Sequence, residues 1–289
     1  MLLRTSQPLD MALTLEGGQA FRWRREGEGH RGVLGQCVLE LRKSPSGIQF
    51  HALTSEDAGG KPGRSSRALR EALWRYFRLD DDLEAIHREL GKDPVMAQAL
   101  QSFRGLRLLR QDPWECLACF ICSVDSNIPR IIGTVERLAQ AFGAPIATGQ
   151  GVVHAFPTPQ AVAEAGEEAL RRLGLGFRAP YLWRSARMIA DGEVDLAGLR
   201  SLPYAEAKRA LVTLPGVGEK VADCVLAFSL DKLEAFPIDR WVRRALIEEY
   251  LGGHRWTDRA LREWAQDRFG VLGAYAQQYL FQWKRGQRA

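Results

Sequence analysis

The chain has 289 residues, of which 46% are hydrophobic and 26% are charged, as in ordinary globular proteins with one large or two medium domains. No apolar run approaches the roughly 20 residues that span a bilayer. The start of the chain, Met1–Thr5, turns polar too early for a secretory signal. A net charge of +5 is compatible with a nucleic-acid partner without requiring one.

The first predicted elements are β-strands, which lie between Ala12 and Leu53. Hydrophobic residues alternate with polar ones in this region, and Cys37, Leu39 and Leu41 share one face of a strand. The runs are separated by segments with turn compositions, at Glu26–Gly29 and Ser44–Gly47. The pattern is typical of an antiparallel sheet.

Helical periodicity replaces the strand pattern from Leu69 onward, after a Gly-, Ser-, Lys- and Pro-rich segment at 55–66 that we predict to be an exposed loop. After Gly105 almost all of the chain is predicted to be helical, in segments near 113–124, 128–142, 159–172, 179–191, 204–213, 218–230, 239–250 and 257–284. The sequence therefore predicts an α+β protein. It would consist of an antiparallel β-rich domain with flanking helices at 1–104 and an all-helical domain at 105–289.

Five cysteines, an odd number in a chain without a secretory signal, argue against a disulfide framework. Cys116, Cys119 and Cys122 are spaced like metal ligands, but they lie in an apolar helical segment where free cysteine is a small hydrophobic residue. No fourth cysteine lies nearby, so we expect no metal site there.

The segment Leu214–Lys220, with the sequence LPGVGEK, is predicted to form a tight hairpin that leads directly into a helix. Backbone N–H groups at such a helix N-terminus can bind a phosphate oxygen. Lys220, with the carboxylate of Asp239 arriving from the next segment, is a candidate amine nucleophile. From these two residues alone, a second interpretation is equally good, in which Lys220 pairs with a phosphate and Asp239 is the N-cap of the following helix.

Further motifs accompany the hairpin in a fixed order: Gly17–Trp23 (GGQAFRW), Gln111–Cys116 (QDPWEC) and Leu173–Ala179 (LGLGFRA). Together with the Lys220 and Asp239 pair, they resemble the 8-oxoguanine DNA glycosylases of the helix-hairpin-helix superfamily. The resemblance extends from about Leu9 to about Phe281, which is nearly the whole chain.

The resemblance implies a bifunctional glycosylase and β-lyase that extrudes 8-oxoguanine from duplex DNA. Lys220 would attack C1′ as a neutral amine, expel the damaged base and form a Schiff base that undergoes β-elimination. Burial and the positive end of the following helix both favour the neutral amine. Asp239 would stay ionised, hold the lysine and stabilise the developing positive charge on the sugar.

For the extruded base, the resemblance places the backbone carbonyl of Gly18 opposite N7–H, which 8-oxoguanine has and guanine lacks. Gln277 would read the Watson–Crick edge. Phe281 would stack on one face of the base and Cys224 would cover the other; Cys224 lies one helical turn after Lys220, so both can face one pocket. Without the motifs, Phe281 and Cys224 would be interpreted as core residues.

On the other strand, the resemblance assigns Arg130 and Arg178 to the orphaned cytosine and Phe177 to a wedge beside it. It also assigns the backbone of the hairpin to a DNA phosphate, with a monovalent or divalent cation bridging the two; the residues are Gly216, Gly218 and Val221. No other cofactor and no active-site metal are expected. The expected partner is double-stranded DNA containing oxidised guanine, bound by a monomer that has no contact with membranes.

Two positions depart from the family pattern. An asparagine usually fills the vacancy left by the extruded base, but our alignment places Asp125 there, unless a shift brings Asn127 into that role. A carboxylate would be repelled by phosphates and would pair poorly with cytosine. The family also has a phosphate-contacting histidine where this chain has Trp241, with Arg240 and Arg243 as the nearby candidates to replace it.

Three other classes remain as alternatives. A glycosylase for alkylated bases has the same fold but usually no hairpin lysine. A non-catalytic helix-hairpin-helix module needs neither the β-rich domain nor the lysine and aspartate. A pyrimidine-directed relative has the lysine together with an iron–sulfur cluster, whose four C-terminal cysteines this chain lacks. We expect the protein in the cytoplasm or nucleoid of a prokaryote, or in the nucleus of a eukaryote.

Overall fold

A computed structural model describes residues 1–53 and 66–287. The N-terminal part is a five-stranded antiparallel sheet in the order β1-β5-β4-β3-β2. Its strands are β1 (Leu2–Arg4), β2 (Trp23–Glu26), β3 (Gly29–Leu34), β4 (Cys37–Ser44) and β5 (Gly47–Ala52). The two turns predicted from composition are confirmed, because Glu26 pairs with Gly29 and Ser44 pairs with Gly47 at the ends of two hairpins. Gly47 has a φ of +140°, which favours glycine at this position.

The predicted strand region does not begin with a strand. Helix α1 (Met11–Leu15) occupies its start, capped by Asp10, whose side chain accepts a hydrogen bond from the Leu13 amide at 3.0 Å. This local capping interaction overrides the alternating pattern. The loop predicted at 55–66 lies outside the described residues, except for Ser66, which is the first residue of a helix.

Most of the remainder is helical, as predicted, and the α+β fold class is confirmed. The helices are α2 (Ser66–Tyr76), α3 (Leu83–Leu90), α4 (Pro94–Ser102), α5 (Pro113–Cys122), α6 (Ile128–Phe142), α7 (Pro159–Leu170), α8 (Ala179–Ala190), α9 (Tyr204–Val212), α10 (Glu219–Ser229), α11 (Arg240–Glu249), α12 (Asp258–Phe269) and α13 (Gly273–Gly286). The single helix predicted at 257–284 is wrong: it is two helices, separated at Gly270, where φ is +49°.

A second sheet, which the sequence did not predict, lies between the predicted helical segments at 128–142 and 159–172. Strands β6 (Pro145–Thr148) and β7 (Gly151–His154) form a hairpin of their own. Ile146 of this hairpin packs with Val33 and Val38, and Val38 lies on the face of β4 opposite to Cys37, Leu39 and Leu41. The strands are too short for periodicity to identify them, and their partner surface is more than 100 positions away in the sequence.

The hydrophobic core places the two central helices, α5 and α10, against each other. Cys116, Cys119 and Cys122 are buried free thiols of α5, and burial raises the pKa of each well above its ordinary value. No group of His, Cys, Asp and Glu suited to a metal ion occurs among the residues that the structure describes. Within the same residues, no helix is long and apolar enough to cross a membrane.

Candidate active site

A cleft of about 930 Å³ opens between the start of α10, the start of α6 and the end of α13. Four cationic side chains and two carboxylates line it, so the cleft carries a net positive charge suited to DNA phosphates. The charged residues are Arg130, Lys220, Arg240, Arg285, Asp125 and Asp239. Of the 14 site residues predicted from the sequence, all but Phe177 and Arg178 line this cleft.

Lys220 lies in the first turn of α10 and is half-buried. Its Nζ atom donates a hydrogen bond to Ser123 Oγ at 3.4 Å and lies 5.1 Å from the centroid of the Phe120 ring. Both contacts come from the C-terminal end of α5, about 100 positions earlier in the chain. The packing of α5 against α10 therefore fixes the direction of the amine.

A buried polar network holds α10, the helix that carries Lys220, against α9. Asp223 of α10 is fully buried, accepts a hydrogen bond from Tyr204 Oη at 2.8 Å and pairs with Lys208 Nζ at 3.0 Å. Lys208 also pairs with Glu219 at 2.7 Å. Although burial opposes it, Asp223 raises the pKa of Lys208, so this lysine stays charged and holds α9 to α10.

Asp239 is the N-cap of α11, as the second interpretation of the sequence required. Its Oδ1 atom accepts hydrogen bonds from the amides of Trp241 at 2.9 Å and Val242 at 2.8 Å. Burial raises the pKa of Asp239, and the Val242 amide and the charge of Lys220 oppose that shift. Capping occupies one carboxylate oxygen, and the side chain still lines the cleft that Lys220 enters.

The base-recognition candidates meet at the end of this cleft. Gln277 on α13 is 4% exposed, and its Oε1 atom has no hydrogen-bond partner within the described part of the chain. Phe281 lies one turn later, and a Cβ added to Gly18 would be 3.4 Å from its ring. Cys224 is buried, and burial raises the pKa of its thiol to about 12, with the charge of Lys220 opposing. A buried acceptor without a partner is costly, which favours a ligand that donates to it.

The turn between α5 and α6 carries the candidates for the vacated position. Asp125 is exposed at its tip with a φ of +48°, a conformation that Asp tolerates better than most residues. Asn127 is the N-cap of α6, where its Oδ1 atom accepts the Arg130 amide at 3.0 Å. The Asn127 side chain is therefore committed to the helix, and the structure places Asp125, not Asn127, at the tip.

Arg178 and Phe177 lie immediately before α8, beside this turn. Arg178 Nε donates to the carbonyl of Val124 at 2.6 Å, and its Nη2 donates to the carbonyl of Asp125 at 2.9 Å. Its guanidinium also lies 4.3 Å from the centroid of the Phe177 ring. In contrast, the Arg130 side chain is exposed at the rim of the cleft.

The hairpin presents its backbone toward the cleft. Gly216 has a φ of +77°, and a Cβ added to Gly218 would meet no atom within 4 Å. Gly218 is the N-cap of α10 and has no side chain to supply a cap, so the first-turn amides, including that of Val221, receive no cap from it.

Two family models together match most of the chain. Residues 1–117 match the 8-oxoguanine DNA glycosylase N-terminal domain, and residues 118–268 match the HhH-GPD superfamily base excision DNA repair protein. The probable N-glycosylase/DNA lyase of Methanothermobacter thermautotrophicus is 34% identical, over 94% of this chain and 92% of its own length. The chain belongs to the 8-oxoguanine DNA glycosylase family.

Two solved structures of similar proteins contain DNA. The structure of MBOgg1 with a low-affinity DNA ligand is 32% identical, has a TM-score of 0.91 and covers 99% of this chain and 95% of its own. The Clostridium acetobutylicum 8-oxoguanine glycosylase/lyase, bound to double-stranded DNA with cytosine opposite 8-oxoG, is 28% identical with a TM-score of 0.90. That match covers 100% of this chain and 99% of the Clostridium chain.

The two candidates to replace the family's histidine differ in availability. Arg243 is bonded to the carboxylate of Asp258 and to the backbone carbonyl of Trp256. Arg240 is exposed, lines the cleft and lies 5.0 Å from the Trp241 ring. The structure therefore favours Arg240 as the cation at this position.

Sequence reasoning missed Phe120 and Ser123, which contact the Lys220 amine. Both lie at the C-terminal end of α5, the helix that contains Cys116, Cys119 and Cys122. Their spacing of three positions at the end of a helix was a signal that they share a face. The sequence did not indicate which helix packs against that face.

Proposed function

We propose that this protein is a bifunctional glycosylase and β-lyase that excises 8-oxoguanine from duplex DNA, preferentially opposite cytosine. The observation that carries the proposal is the combination, in one cleft, of a half-buried lysine, an aspartate that caps a helix, and the buried Oε1 atom of Gln277, which has no hydrogen-bond partner among the described residues. An alkylated-base enzyme or a DNA-binding module needs no such lysine.

In the proposed reaction, the Lys220 amine forms a bond to C1′ as the C1′–N9 bond breaks. The base leaves with that electron pair and takes up a proton. Ring opening of the sugar then gives a Schiff base on Lys220, and loss of a C2′ proton expels the 3′ phosphate by β-elimination. The Asp239 carboxylate stabilises the positive charge that develops on the sugar, and its N-cap hydrogen bonds keep it in place.

For recognition, the Gly18 carbonyl accepts N7–H of 8-oxoguanine, and the side chain of Gln277 binds the Watson–Crick edge. The Phe281 ring and the Cys224 thiol enclose the base. Because burial raises the pKa of Cys224 to about 12, its thiol stays neutral at physiological pH and packs against the base without competing as a nucleophile. Guanine has an acceptor at N7, so it would leave the Gly18 carbonyl unpaired.

The hairpin would hold a phosphate of the lesion strand. Open space at Gly218 and the uncapped start of α10 allow close approach of a phosphate to the backbone of Gly216, Gly218 and Val221. A monovalent or divalent cation held by hairpin carbonyls would bridge to it, since such an ion needs only oxygen ligands. Arg130 and Arg178 would read the orphaned cytosine beside Phe177, and the enzyme would work in the nucleoid or nucleus.

Borohydride trapping tests the proposal directly. Duplexes with 8-oxoguanine opposite each of the four bases are incubated with wild-type protein, Lys220→Gln and the surface control Lys92→Gln. We expect a covalent adduct that is strongest opposite cytosine, absent from Lys220→Gln and unchanged in Lys92→Gln, with lesion-duplex binding retained by all three.

The other outcomes separate the alternatives. Base release without an adduct would indicate a monofunctional glycosylase. Neither adduct nor release would leave a DNA-binding protein, and loss of binding in Lys220→Gln would support the phosphate-pairing role of the lysine.

A further inference from the structure

Helix α8 contacts both the hairpin at 214–220 and Phe177, the residue proposed as the wedge. On one face, Ser185 Oγ donates to the Pro215 carbonyl at 3.0 Å. One turn earlier on the same helix, Tyr181 packs on the hairpin so closely that a Cβ added to Gly216 would lie 2.6 Å from Tyr181 Cβ. Two contacts therefore fix α8 against the loop that would hold the DNA phosphate.

The ring of Tyr181 also contacts the ring of Phe177. Their centroids are 6.4 Å apart and the ring planes are inclined by 78°, an edge-to-face geometry that aromatic pairs favour. Phe177 is 49% exposed and Tyr181 is 38% exposed. Phe177 thus has the Arg178 guanidinium on one side and Tyr181 on another, and its remaining surface faces solvent.

An exposed aromatic pair beside a DNA-binding cleft contributes little to a hydrophobic core. The hydroxyl of Tyr181 makes no hydrogen bond to any of the residues described at 1–53 and 66–287. The structure therefore uses the ring of Tyr181, not its hydroxyl, in its contacts with Gly216 and Phe177.

We propose that Tyr181 is a positioning residue for base extrusion. Its ring packs against the hairpin at Gly216 and holds the Phe177 ring at a fixed distance from the phosphate that the hairpin would bind. Phe177 would then enter the base stack in one orientation. Without this contact, the Phe177 side chain would sample several rotamers. Fixing one rotamer during insertion would then cost conformational entropy and make insertion less favourable. The inference rests on the proposed function, because it assigns a role within base extrusion.

The test compares a substrate that needs extrusion with one that does not. Single-turnover excision is measured on an 8-oxoguanine duplex opposite cytosine, with 2-aminopurine next to the lesion to report extrusion. Borohydride trapping is measured on a duplex with a preformed abasic site, where no base has to leave the stack. The variants are Tyr181→Ala, Tyr181→Phe, Phe177→Ala and the double variant, with Trp74→Ala as a control for losing an exposed aromatic residue elsewhere.

For Tyr181→Ala we expect excision and the 2-aminopurine signal to slow about fivefold, the scale of one aromatic pair. Abasic-site trapping should stay within about twofold of wild type, because the lysine chemistry is untouched. Tyr181→Phe and Trp74→Ala should match wild type on both substrates. In the Phe177→Ala background, replacing Tyr181 should add no further loss, since Tyr181 acts through Phe177.

Equal losses on the two substrates, or a further loss in the Phe177→Ala background, would indicate a general structural role and overturn the inference. Wild-type excision rates in Tyr181→Ala would overturn it as well. If the wild-type protein itself gave neither excision nor trapping, the proposed function would fail instead, so the two failures are distinguishable.

Discussion

Gln277, on the proposed lesion side of the cleft, is 4% exposed, and its Oε1 atom has no hydrogen-bond partner among residues 1–53 and 66–287. Phe177, on the proposed opposite-strand side, is 49% exposed. The lesion side is built from segments far apart in the sequence and set into the core. The opposite-strand side is built from one turn and two helix starts, held by hydrogen bonds from Arg178 to backbone carbonyls. The groups proposed to perform the chemistry are thus held in place by the protein itself, while the groups proposed to read the partner strand lie at the surface.

This difference predicts that substitutions on the lesion side will change the rate of chemistry, and that substitutions on the opposite-strand side will change the preference among opposite bases. Three substitutions test this, in order of expected effect.

Asp239→Asn should have the largest effect. Asparagine caps a helix as well as aspartate does, so α11 should be retained. Loss of the negative charge should slow excision by about 100-fold or more, the usual scale for removing an electrostatic stabiliser. Single-turnover excision and thermal unfolding measure the two effects separately. Rapid excision by a normally folded variant would show that Asp239 is only a cap.

The same substitution should remove two pH effects that we expect in the wild-type protein. Because burial raises the pKa of Asp239, the acid limb of the wild-type excision rate should lie above the ordinary aspartate pKa of about 3.9. Folded protein binds this proton more tightly than unfolded protein, so wild-type stability falls as pH rises from about 3.9 through the raised pKa. Asp239→Asn should lack both effects, and its stability relative to wild type should be greatest at neutral pH.

Gln277→Ala should come next, with excision slowed about tenfold because one or two hydrogen bonds to the base are lost. Trapping at a preformed abasic site should be unchanged, since no base is present. Gln278→Ala is the matched control: its Nε2 donates to the Gly17 carbonyl at 2.9 Å, so its loss should lower stability. A Gln277→Ala defect of equal size on both substrates would contradict base recognition by this residue.

Asp125→Asn should have the smallest effect. Asparagine tolerates the φ of +48° and removes a negative charge that would face DNA in the proposed complex. We expect about threefold tighter binding at low salt, and a higher ratio of excision opposite cytosine to excision opposite adenine. Measuring that ratio in the wild-type protein and in the variant tests whether Asp125 affects recognition of the opposite base. An unchanged ratio would mean that it does not.

Local features of the site were predictable from the sequence because they depend on short spacings. The hairpin, the first-turn position of Lys220, the proximity of Cys224 one turn later and the capping role of Asp239 all follow from helix geometry and capping preferences. The sequence motifs indicated the family, and the family resemblance led to the expectation that Gly18 and Gln277 share a pocket.

Only the tertiary structure determined which distant groups the side chains of the site contact. It paired Arg243 with Asp258 and brought Phe120 and Ser123 to the Lys220 amine. It also divided the predicted C-terminal helix at Gly270 and added the β6–β7 hairpin. Such contacts join residues that are in some cases about 100 or more positions apart. They depend on how whole helices and sheets bury their apolar faces, which local periodicity does not show.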